Sequence, residues 1–151
     1  MEIPAEDDMR ELTETGKKDI LRAAKVLKSM KIRPELVASS PLPRALDGAR
    51  LVAEELGVAK KLEIWEELRP DGDRTSLIGR LEKMNPGSAV MLIGHEPFLS
   101  GLISELVSGK KTSRIVLKKA GMAKLSLDSV SPKLSGRLNW LLTPKLMKKL
   151  A

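Results

Sequence analysis

The segment Ala89-Val90-Met91-Leu92-Ile93 is the most apolar run in the chain, and Gly94-His95-Glu96-Pro97 follows it at once. Five consecutive apolar residues leave no polar face, which has the length and content of a central strand buried in a parallel sheet. A glycine and a proline stop it, and Phe98 to Val107 resumes helical spacing. The same order of strand, turn and helix occurs earlier. Glu35-Leu36-Val37-Ala38-Ser39 reads as a short buried strand, Pro41 stands where a helix can begin, and Ala45 to Leu56 continues it up to Gly57. Upstream, Thr13 is placed to cap a helix from Lys17 to Met30, in which Ile20, Ala23, Ala24, Leu27 and Met30 recur at helical spacing. Leu62-Glu63-Ile64-Trp65 is a short strand candidate, Pro70-Asp71-Gly72-Asp73 a turn, and Thr75 to Met84 a helix. Arg114 to Leu117, Met122 to Leu127 and Arg137 to Leu142 read as strands, with a closing helix from Thr143 to Leu150. Strands alternating with helices predict an α/β layered fold with a mostly parallel sheet.

No repeat, low-complexity tract or flexible linker divides the 151 residues, so one domain over 1–151 is expected. Hydrophobic residues at 42% and charged residues at 31% exclude a disordered chain. No stretch approaches the roughly 18 apolar residues that cross a bilayer, and the acidic start from Met1 to Glu14 lacks the apolar core of a signal peptide. No membrane partner is expected. Cysteine is absent, which excludes disulfides, thiol nucleophiles and thiolate metal sites and fits a cytoplasmic protein. His95 is the only histidine, leaving only carboxylates as companions for a metal, so neither metal nor cofactor is expected. The net charge of +7 suits an anionic partner, nucleic acid or a phosphorylated substrate. With Trp65, Phe98 and Trp140 as the only aromatic residues there is no base-stacking platform, and nucleic acid is not the expected partner.

In open α/β sheets, ligands collect at the carboxyl ends of strands. Two segments put distinctive polar residues there. Ser39-Ser40-Pro41-Leu42-Pro43-Arg44-Ala45 leads from a strand end into a helix start, where backbone N–H groups favour an anion and Arg44 can add a guanidinium fork. The same spacing also fits an arginine on the solvent face of a helix. Gly94-His95 stands at the other strand end, with His95 able to donate to a phosphoryl oxygen and Gly94 permitting close backbone approach. Glu67, just after the strand at Ile64, can protonate a leaving group or simply be surface charge. There is no Walker loop, no GxGxxG and no Ser-His-Asp pattern.

Taken together, these segments resemble the histidine phosphatase superfamily, in particular its small SixA-like phosphohistidine phosphatases. Leu12-Thr13-x-x-Gly16, Ser39-Ser40-Pro41-Leu42-x-Arg44-Ala45, Glu67-Leu68-x-Pro70-x-Gly72-Asp73 and Gly94-His95-x-Pro97 are similar to that group's motifs, in the same order. Asn139-Trp140 to Pro144 is similar to its last strand and closing helix. The resemblance implies a three-layer α/β/α sandwich of the phosphoglycerate mutase-like class. It also implies that Arg44, Gly94 and His95 bind a phosphoryl group, that Glu67 stands where the family has its proton donor, and that the substrate is a phosphorylated protein or small molecule. One departure is marked. The family's first strand ends in Arg-His-Gly, whose histidine is the nucleophile, whereas this chain opens on Met1-Glu2-Ile3-Pro4 and holds only His95. A domain missing its first strand is therefore expected, as a truncated enzyme or as a non-catalytic phosphate-binding relative.

Overall fold

A computed structural model describes residues 10–110, 115–130 and 133–150. In chain order the elements are α1 (Glu14–Ser29), β1 (Leu36–Ser39), α2 (Pro43–Glu55), β2 (Leu62–Ile64), α3 (Arg74–Glu82), β3 (Val90–Ile93), α4 (Phe98–Ser108), β4 (Met122–Ser129), β5 (Ser135–Leu142) and α5 (Pro144–Leu150). Single 3-10 turns at Ala59–Lys61 and Glu66–Leu68 flank β2. Helix α1 begins where the sequence indicates, with the Thr13 hydroxyl accepting from Gly16 N–H at 3.0 Å. Helix α2 begins two residues later than Pro41 allows, because Pro43 takes the first helical position. Gly57 ends that segment at φ +72, a conformation only glycine adopts without strain.

Strands β2, β1 and β3 form a parallel sheet in that order. Alternation along β1 builds the layers. Val37 packs with Ala24, Leu27, Ala49, Val52 and Ala53 of α1 and α2 on one face. Ala38, pointing the other way, packs with Trp65, Leu68, Leu77, Leu102 and Leu106 beside α3 and α4. The result is an α/β/α sandwich, the architecture that the resemblance implies. Small residues let α1 and α2 approach closely, and a side chain at Gly48 would already touch Ile20 at 3.7 Å. Helix α5 closes over α1 through Met147, Ala23 and Val26.

The positions of two strands differ from expectation. The apolar run at Val90–Ile93 lies at one end of the three-stranded sheet, and β1 takes the middle. Apolar content reports packing on both faces, which β3 has in part through half-buried Met91 and Ile93 on one side and Leu92 on the other, but not rank within a sheet. Among the described residues, no strand pairs with the outer edge of β3. The stretch expected as a strand at Arg114 to Leu117 begins outside the described residues, and 115–117 carries no strand. Strands β4 and β5 pair antiparallel as a separate hairpin. Residues Met1 to Pro4 lie outside the described residues, and no described helix is long and apolar enough to cross a membrane.

Candidate functional site

The turn from β1 into α2 is built around two fully buried serines. Ser39 Oγ donates to the Ser40 carbonyl at 2.9 Å, and Ser40 N–H donates to the Ile93 carbonyl at 2.9 Å, closing the β1–β3 ladder. Ser40 Oγ accepts from Leu42 N–H at 3.2 Å, which holds the residue that opens α2. Among the described residues no side chain caps α2, and its first turn holds no acidic residue. The other four described helices take an acceptor from their own flanks: Thr13 for α1, Asp73 for α3, Glu96 for α4 and Thr143 for α5. The Arg44 and Ala45 N–H groups, second and third in α2, therefore meet no side-chain acceptor among the described residues. The Arg44 side chain is half-buried and forms no ion pair among the described residues. A helix start with open N–H groups and an uncommitted guanidinium has the chemistry to take an anion.

The turn from β3 into α4 meets the first one directly. His95 Nε2 lies 2.7 Å from Ser40 Oγ, joining segments 55 residues apart. The His95 carbonyl accepts from Leu99 N–H at 3.0 Å, which ties the residue to the first turn of α4. Gly94 is closely packed. A Cβ there would stand 3.3 Å from the Leu68 carbonyl, so the Glu66–Leu68 turn sits against the backbone just before His95. Arg44, Gly94 and His95 thus share the carboxyl end of the β1–β3 pair, where the sequence reading put them.

Glu67 faces a different neighbour. Its Oε2 is 3.0 Å from Arg80 Nε of α3, an ion pair whose approach lacks hydrogen-bond geometry although Oε2 is buried. The Arg80 guanidinium lies over the Trp65 ring at 4.9 Å, and Trp65 Nε1 donates to Glu63 at 3.0 Å. Glu63, Trp65, Glu67, Arg80 and Lys83 line a cavity of about 940 Å³, whose lining includes neither Arg44 nor His95. The loop after Glu67 is tightly folded, since a Cβ on Gly72 would come within 2.0 Å of the Glu67 carbonyl. It ends at Asp73, whose carboxylate is held below the usual carboxylate range by the Ser76 hydroxyl and the Thr75 N–H. Sequence reading did not single out Ser40 or Arg80. The signal for Ser40 was a polar pair at the end of a buried strand, where a hydroxyl needs a partner.

Known proteins resemble this chain in sequence and in fold. The sequence pattern of the histidine phosphatase superfamily (branch 1) matches residues 5–70. An uncharacterised protein of Picosynechococcus sp. is 32% identical over 121 residues, covering 78% of this chain and 72% of the relative. The protein histidine phosphatase SixA, solved with tungstate, superposes with a TM-score of 0.80 at 29% identity over 91% of this chain and 86% of its own. The chain belongs to the histidine phosphatase superfamily. Its relationship is to phosphatases, hydrolases of phosphoryl groups. A mycobacterial glucosyl-3-phosphoglycerate phosphatase shares the fold at 21% identity and a TM-score of 0.66, with 88% of each chain covered. The Ser39–Ala45 and Gly94–Pro97 turns, both similar to family motifs, meet in space through Ser40 and His95.

Proposed function

We propose that this chain carries the phosphoryl-binding half of a SixA-type phosphohistidine phosphatase, acting in the cytoplasm on a phosphorylated protein or small phosphorylated molecule. The observation that carries the reading is a start of α2 with neither a side-chain cap nor an ion-pair partner for Arg44 among the described residues, joined through Ser40 to His95. A phosphoryl group there would accept from the Arg44 and Ala45 N–H groups and the Arg44 guanidinium, with the imidazole of His95 as a further donor. The helix-start N–H groups and His95 are held through Ser40 before the ligand arrives, the condition under which donors stabilise charge developing on a transferring phosphoryl group. The protein histidine phosphatase SixA was solved with tungstate, a tetrahedral oxyanion, which supports an oxyanion as the ligand class.

Turnover in this mechanism runs through a phosphohistidine intermediate, and its nucleophile is a second histidine. His95 is the only histidine of the 151 residues, so these residues bind the phosphoryl group without turning it over. Glu67, paired with Arg80, is the candidate proton donor. When the P–N bond of phosphohistidine breaks, the imidazole that departs is a good leaving group and asks little of such an acid. The single histidine also favours a second reading, a pseudophosphatase that holds phosphohistidine without hydrolysing it. The test is incubation of the purified chain with a phosphohistidine-bearing domain, following both complex formation and phosphate release. Binding without release is expected. Release by this chain alone contradicts the assignment of the nucleophile, and absence of binding contradicts the site.

A further inference from the structure

We infer that Ser40 is a positioning residue that sets the tautomer of His95 and the spacing between the two halves of the anion site. The inference rests on the reading of Arg44 and His95 as phosphoryl ligands and adds the group that holds them. Ser40 is fully buried, so its single hydroxyl proton must find an acceptor inside the protein. Its oxygen already accepts from Leu42 N–H at 3.2 Å, and His95 Nε2 stands 2.7 Å away. Were Nε2 the donor, that oxygen would receive two N–H groups, and its own proton would meet no acceptor among the described residues. With the hydroxyl donating to Nε2, all three groups are satisfied, and the cost of an unmet buried donor decides between the arrangements. Nε2 is then the acceptor, and the neutral imidazole carries its proton on Nδ1.

The same oxygen holds the residue that opens α2, two positions before Arg44. One hydroxyl therefore registers the arginine's helix against the imidazole. Burial keeps Ser40 itself from reaching a ligand, so its role runs through the two residues it holds.

Because His95 is the only histidine, a long-range proton–nitrogen NMR correlation of the full chain reads its ring nitrogens without assignment work. At about pH 8, above the usual imidazole range, the wild-type chain should show protonation at Nδ1 with no anion present. Ser40→Ala should abolish that preference and weaken vanadate binding about tenfold. Ser40→Cys, close in size and a weak donor, should recover part of the wild-type nitrogen pattern; it also serves if the alanine variant loses its cooperative melt. A wild-type imidazole protonated at Nε2, or an unchanged pattern in a folded variant, overturns the inference. Failure of the wild type to bind vanadate overturns the phosphoryl reading, while the nitrogen pattern, recorded without anion, still decides the Ser40 assignment.

Discussion

Arg80 lies with its Nε 3.0 Å from Glu67 Oε2 and its guanidinium over the Trp65 ring, so one side chain of α3 holds both ends of the segment after β2. Arg80 is 42% exposed and Glu67 18%, which limits the Coulomb contribution through solvent screening. Stacking on the indole adds to it. Arg80→Ala should lower stability by about 1 kcal/mol in urea unfolding. Arg80→Lys should recover little, because a lysine lacks the planar fork that pairs and stacks together. Equal stability of all three chains would contradict the clamp.

Two glycines close to one another in sequence should respond in opposite ways. A Cβ on Gly79, in the middle of α3, meets nothing within 4 Å. Gly79→Ala should stabilise by about 0.5–1 kcal/mol, since alanine loses less backbone freedom in a helix. A Cβ on Gly72 would sit 2.0 Å from the Glu67 carbonyl and 2.9 Å from that of Arg69. Gly72→Ala must displace backbone and should cost about 3 kcal/mol. Thermal melts of the two variants check both signs.

The cap of α3 makes stability depend on pH at one residue. The Asp73 carboxylate is held below its ordinary range by the Ser76 hydroxyl, then by the Thr75 N–H. A carboxyl group depressed on folding contributes stability that is fully present above its unfolded pKa and lost as pH falls through the folded value. The difference in melting temperature between wild type and Asp73→Ala should therefore be clear near about pH 7 and vanish toward about pH 2. A difference independent of pH would contradict the cap.

Helices α1 and α2, the three parallel strands and the closing helix were legible because each carries a local signal: the Thr13 cap, the period of Ile20, Ala24 and Leu27, and the Gly57 stop. The place of β3 in the sheet was not legible, since Val90 to Ile93 report how apolar a strand is and not which neighbours it has. At the site, Arg44, Gly94 and His95 stood out by residue type at strand ends. Ser40 did not, because its importance lies in a contact with a residue 55 positions away. Nor did the pairing of Glu67 with Arg80, which depends on how α3 returns across the strand before it.

The central claim is that Arg44 and His95 hold one anion, and calorimetric titration of vanadate into the wild type, Arg44→Ala, His95→Ala and the double variant tests it most directly. Each single substitution should weaken binding about tenfold or more. The double variant should lose less than the sum of the two, as expected for groups acting on a shared ligand. Wild-type binding that neither substitution alters would contradict the site.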